Sequence, residues 1–206
     1  MDGFFLLNKE KGITSNQLIQ NIKKSLKFKK VGHLGTLDPM ATGLMVIAAN
    51  RATKFSSYFL ESDKSYHATV KLGCSTDTDD ALGKIIETSD NLPTEEHTHK
   101  VLNSFVGQSL QLAPFYSALK HKGKPLYKYA REGDFILKPP REINVFSIKD
   151  FNFDHDECSF LIHCSKGTYI RSIARDIGKK LGCGAHLSGL KRVSQGKFNI
   201  NQALNT

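Results

Sequence analysis

The chain has 206 residues, with 29 lysines and arginines against 20 aspartates and glutamates, a formal net charge of +9. At 39% hydrophobic and 24% charged residues its composition is neither disordered nor fibrous, and a chain of this size buries roughly 70% of its unfolded surface without disulfide or metal staples. No apolar run approaches the ~20 residues of a membrane span, and Phe4–Leu7 is too short for the core of an export signal, so the expected setting is the cytoplasm, away from membranes.

Phe4–Leu7 reads as a short buried strand ahead of Asn8–Gly12. Thr14 with Gln17 three residues on fits a capping box opening a helix. Leu18, Ile22 and Leu26 at four-residue spacing form its expected buried stripe. Lys23, Lys24, Lys27, Lys29 and Lys30 gather at its far end, where cations suit the helix dipole. Gly32–Pro39 and a second turn at Thr42-Gly43 form a loop delivering the apolar run Leu44–Ala48 into a buried strand. Tyr66, Ala68, Val70 and Leu72 alternate with polar residues as a half-buried strand should.

Thr76–Gly83 is then an acidic turn, Lys84–Glu87 a strand and Thr94–Val106 a helix. Ser117–Arg141 is the least regular stretch, with Lys120, Lys122, Lys124, Lys128, Arg131 and Arg141 among three tyrosines. Ile143–Phe153 and Cys158–Ser165 read as strands. Gly167-Thr168 opens a helix with Ile170, Ile173, Ala174, Ile177 and Leu181 on its apolar face, and His186–Ile200 forms one or two short strands. Strands outnumber helices without alternating with them, so the expected class is α+β around a mainly antiparallel sheet, as a single domain over residues 1–206.

The chemistry-bearing clusters are few. The four cysteines show no zinc-like spacing and are expected as reduced thiols. Gly32-His33-Leu34-Gly35 matches neither dinucleotide nor phosphate-loop spacing. Asp77, Asp79 and Asp80 lack the third ligand and closing Glu of a calcium loop, and His97-Thr98-His99 makes a poor metal site. The dipeptide Asp38-Pro39 taken alone reads as a helix N-cap with proline at the first helical position, a place that fixes a carboxylate yet leaves an oxygen outward. With Thr168 as cap, Arg171 falls in a first helical turn, where the dipole disfavours a cation. Either a neighbouring acidic side chain or a functional carboxylate or phosphate has to compensate it. Tyr66 heads an apolar strand face and is as well suited to the core as to stacking on a base.

The run from Gly32 to Gly43 (GHLGTLDPMATG) resembles the signature of the TruB-type tRNA pseudouridine-55 synthases. Asp63–Tyr66, Thr76–Asp80, Tyr116–Lys120, Cys164–Arg171 and Gly182–Leu187 with Leu190 follow in that family's order. The resemblance spans Lys9 to Arg192 and departs from the usual Lys-Pro at Lys9-Glu10. It implies the pseudouridine synthase fold, a bent mixed sheet with flanking helices and the active-site cleft across it. It implies conversion of one uridine in the tRNA T-loop to pseudouridine, the N1–C1′ bond being replaced by C5–C1′.

By the same resemblance Asp38 is the nucleophile, Tyr66 stacks on the flipped base and assists proton removal at C5, and Arg171 pairs with the aspartate. His33 fills the space the base leaves, Tyr169 and Leu190 line the pocket, and Lys9 lies near the site. The implied enzyme uses no cofactor or metal, acts as a monomer without an obligate protein partner, and contacts RNA through residues 117–141. It lacks the C-terminal RNA-binding module of many members and so reads the T-arm alone. A tRNA-folding chaperone, or the same chemistry on another RNA, is the alternative reading of the same basic chain.

Overall fold

The computed structural model describes residues 2–205. In chain order the strands and α-helices are β1 (Gly3–Lys9), α1 (Ser15–Ser25), β2 (Val31–His33), β3 (Thr42–Ala49), α2 (Ser56–Leu60), β4 (Lys64–Leu72), β5 (Cys74–Thr76) and β6 (Ile85–Thr88). Then come α3 (Glu95–Asn103), β7 (Gly107–Gln111), β8 (Lys120–His121), β9 (Lys124–Pro125), α4 (Leu126–Arg131), β10 (Arg141–Asp154) and β11 (Glu157–Cys164). The chain closes with α5 (Ile170–Leu181), β12 (Ala185–Gln195), β13 (Phe198–Asn199) and β14 (Leu204–Asn205). Contacts divide it into two interleaved units: residues 1–68, 161–166 and 189–206, and residues 69–160 and 167–188. Strands β4, β11 and β12 each give one segment to either unit.

In the first unit the strand order is β14-β1-β3-β12-β4-β11. β3 is its centre: β1 pairs antiparallel along its whole length, while β12 (parallel) and β2 (antiparallel) share its other edge. A strand covered on both faces must be apolar throughout, and Leu44 to Ala49 are fully buried. Leu34, Leu44, Val46, Ala48 and Ala52 form the core on one side, closed by Phe4, Phe59 and Phe198.

The capping box of α1 is present, with Gln17 N donating to Thr14 Oγ1 at 3.1 Å and Thr14 N to Gln17 Oε1 at 2.8 Å. The expected stripe is not: Leu18 and Ile19 are buried, whereas Leu26 is the C-cap and 53% exposed. Helical periodicity cannot tell where the last turn leaves the sheet it packs on.

In the second unit the order is β12-β4-β11-β10-β7, with β5–β6 and β8–β9 as separate hairpins. Cys158 and Phe160 of β11 alternate inward, and Ile173, Ala174 and Ile177 of α5 are buried. The stretch expected to be irregular folds as the β8–β9 hairpin and α4, tied back by Leu126 N to Leu119 O and Tyr127 N to Ser117 O. The segment expected as one or two short strands is one eleven-residue strand, β12, plus the short β13. The sheet is mixed, and helices flank it in an α+β arrangement.

Candidate functional site

The segment Gly32–Gly43 runs from β2 into β3 and carries Asp38 outside any helix. Ala41 N donates to Asp38 O at 3.0 Å, so Asp38-Pro39 opens a tight turn in place of the expected helix N-cap. Pro39 suits the second position of such a turn because its ring presets φ. Three ties hold this turn from below. Gly12 N donates to Pro39 O at 2.8 Å, Ser15 Oγ donates to Leu37 O at 2.8 Å and accepts from Leu37 N at 2.9 Å, and Lys9 Nζ reaches Pro39 O at 3.5 Å. Thr42-Gly43, expected as a turn, instead begins β3.

Lys9 ends β1 fully buried and spends its ammonium on the carbonyls of Glu10 and Ile13, both at 2.8 Å. Burial pulls its pKa down to about 8, against the opposing pull of the Asp38 carboxylate. Tyr66, on the inward register of β4, is 8% exposed. Burial pushes its phenol up, while the Arg192 guanidinium pulls it down and the Asp38 carboxylate adds a small upward push. Lys9, Asp38 and Tyr66 are thus brought into one electrostatic neighbourhood. His33 ends β2, its imidazole held below the ordinary range by burial and by Arg192. The half-buried Leu190 gives its carbonyl to Thr42 Oγ1 at 3.4 Å.

Tyr169 and Arg171 belong to the second unit. The N-cap of α5 is Tyr169 and not Thr168, with no side-chain cap of its own. Gln111, at the end of β7, serves in its place: Tyr169 N donates to Gln111 Oε1 at 2.8 Å and Gln111 Nε2 donates to Tyr169 O at 3.1 Å. The Tyr169 ring lies 5.3 Å from the Arg141 guanidinium. Arg171 remains in the first turn, and its misfit with the dipole is answered locally. Its Nε lies 3.7 Å from Asp80 Oδ2, and Nη1 and Nη2 donate to the carbonyls of Thr78 and Tyr116, both at 2.9 Å. Both partners of that ion pair are buried.

The acidic turn thereby finds its use. Asp80 faces Arg171, and Asp79, pushed up to about 6 by burial, pairs with Arg175 at 3.1 Å. Asp77 accepts from Lys84 N at 2.8 Å. All four cysteines are free thiols.

Two residues of this neighbourhood carry no sequence signal. Arg192 and Gln195, on β12, are completely buried and donate to backbone carbonyls of the Asp38 segment and β3. A lone arginine and a glutamine in a short polar run look like solvent-facing residues until the strand's register is known. Lys64, likewise buried and lowered to about 8, caps the carbonyls of Leu60 and Ser62.

The similarities of the chain are extensive. The model of the TruB family pseudouridylate synthase N-terminal domain matches residues 23–170, and that of the tRNA pseudouridylate synthase B C-terminal domain matches residues 171–206. A tRNA pseudouridine synthase B of Francisella philomiragia is 49% identical over 206 residues, covering 99% of this chain and 68% of the relative. One from Methylobacillus flagellatus is 47% identical over 204 residues, with coverages of 99% and 68%. Among solved structures, a Cbf5-Nop10-Gar1 complex matches with a TM-score of 0.76 at 29% identity, covering 98% of this chain. An H/ACA RNP bound to a substrate RNA containing 2′-deoxyuridine matches at 0.73 and 27%, also over 98% of the chain. This chain spans about half the length of those two solved chains. A whole-length match at this identity, on a fold shared with those solved relatives, makes the chain a member of the TruB family of pseudouridylate synthases.

Proposed function

We propose that the protein isomerises uridine to pseudouridine in the T-loop of tRNA without a cofactor, Asp38 attacking the nucleoside of a flipped-out base. The observation that carries this reading is Asp38 itself. It is a half-buried carboxylate on a proline turn held by Lys9 of β1, Gly12 and Ser15 of α1, with the Tyr66 phenol in its field. A nucleophile must be placed, ionised and reachable, and extruding a base from a folded loop costs only a few kcal/mol. Tyr66 then offers the aromatic face on which single-stranded bases are held and assists removal of the C5 proton. Arg171 supplies the cation of this reading, its guanidinium oriented by the buried Asp80. His33 fills the gap in the loop, Leu190 lines the pocket, Tyr169 is a further substrate-binding residue, and Lys9 braces the turn.

RNA is held electrostatically. Lys23, Lys24, Lys27, Lys29 and Lys30 are all exposed, as are Lys120, Lys122, Lys128 and Arg131, and phosphate contacts dominate such binding. The enzyme acts in the cytoplasm as a monomer on tRNA, residues 117–141 serving as its RNA-contacting insertion.

The test is incubation with a T-arm stem-loop followed by modification mapping. Conversion of one T-loop uridine is expected, and no conversion there, or equal conversion of uridines in an unrelated hairpin, overturns the reading. Binding of the same RNA should weaken steeply with salt, log K against log salt falling with a slope steeper than about −2, since each neutralised phosphate contributes roughly −0.7 to −0.9. A flat response measured by filter binding or anisotropy removes RNA as the partner.

A further inference from the structure

Arg192 is the largest side chain completely removed from solvent. Its Nε donates to Leu44 O on β3 at 2.7 Å and its Nη2 to Gly35 O at 3.1 Å. The guanidinium lies close over Gly35, where a Cβ would stand 3.1 Å from Nη1. An arginine so deeply buried ordinarily faces a carboxylate, because an unpaired charge in the interior is costly. Among the described residues the counter-group acting on this one is the phenol of Tyr66, on the neighbouring strand β4. The phenol and the guanidinium lie in each other's field, and the buried Nη1 of Arg192 makes no hydrogen bond of its own.

We propose that Arg192 is a positioning residue for Tyr66. Anchored on two carbonyls, its guanidinium fixes the phenol oxygen and supplies the positive charge that an ionised phenol needs to accept the C5 proton. The inference rests on the reading of Tyr66 given under Proposed function. A neutral phenol is a poor proton acceptor, so the phenol first releases its own proton to solvent. Once the C5–C1′ bond has formed, the C5–H bond breaks and its electron pair restores the C5=C6 double bond. The proton passes to the phenolate oxygen, and N1, freed from the sugar, ends with a hydrogen drawn from solvent. The groups facing the phenol are Arg192 from β12, Cys164 from β11 and Asp38 from the turn before β3. Of these only Arg192 brings a positive charge, so the pair is what distinguishes Tyr66 from an ordinary core tyrosine.

The experiment is a single-turnover pH profile on the T-arm stem-loop, from about pH 6 to about pH 10, for the wild type, Arg192→Gln, Arg192→Lys and Tyr66→Phe. The wild-type rate should climb with pH, and Tyr66→Phe should lack the climb. Arg192→Gln should lose about 10²-fold near neutrality and climb only at more alkaline pH. Arg192→Lys, which keeps the charge and loses the two-carbonyl anchor, should be slower but climb where the wild type does. Gln and Lys variants with the same wild-type profile would reduce Arg192 to a packing role and overturn the proposal. Should Arg192→Gln fail to fold by circular dichroism, the other chains decide. A wild-type climb shared by Tyr66→Phe, or an Arg192→Lys profile displaced from the wild type, overturns it; a climb in the wild type and the lysine variant alone supports it. A wild type that converts no uridine at any pH instead refutes the function itself, a distinct result.

Discussion

Asp38→Asn is expected to abolish pseudouridine formation on a T-arm stem-loop, with a loss on the order of 10⁴-fold or more in single turnover, while RNA affinity changes little. The loss is large because an amide cannot replace a carboxylate nucleophile, and residues that act as a unit fail together. The fold should survive: asparagine is as good as aspartate at the first position of a turn, and the ties from Gly12, Ser15 and Lys9 reach the backbone of the 37–39 segment, not the Asp38 side chain. Binding should survive because phosphate contacts carry it. Retained turnover in this variant would remove Asp38 from the chemistry. Full rescue of a deletion strain by the inactive variant would instead identify binding and opening of the T-loop, the chaperone reading, as the main role.

The second large effect is on stability. Gly43 sits between Lys9 on β1 and Arg192 on β12, with φ at +100°. A Cβ there would stand 2.3 Å from Arg192 O and 2.8 Å from Arg192 N. Both are backbone atoms of a paired strand, so no side chain can swing aside. Gly43→Ala therefore combines an unfavourable φ, about 1–3 kcal/mol, with a clash relieved only by parting β12 from β3. A total above about 4 kcal/mol is expected, at the extreme of single substitutions, read as a lowered urea midpoint or failure to fold. Gly32→Ala is the control within the same signature: nothing lies within 4 Å of its added Cβ, and its midpoint should move little. Equal midpoints for the two variants would contradict the strand pairing at Gly43.

Local rules sufficed wherever the cause of structure is local. Thr14 and Gln17 cap α1 through groups three residues apart, and the alternation in β4 gives its inward face. They failed where a distant segment decides. Asp38-Pro39 has the chemistry of a helix start, but no room for a helix remains between Leu37, held by Ser15, and Thr42, already paired with Lys191. Thr168 has a capping side chain, yet Gln111, fifty-eight positions away from Tyr169, takes over the cap. The compensation of Arg171 was legible as a need; which acid meets it, Asp80, was not.

The ordered motifs from Lys9 to Arg192 were enough to determine the family, the chemistry it implies and the identity of Asp38 as the residue to test, because those depend on which side chains occur and in what order. The register of β12 belongs to the tertiary structure alone. It turns Arg192 inward while Lys191 faces solvent, and a strand's side chains change faces with a one-residue slip that nothing in its own composition forbids. Pairing with its neighbours β3, β4 and β13 fixes that choice, and with it the buried charge beside Tyr66.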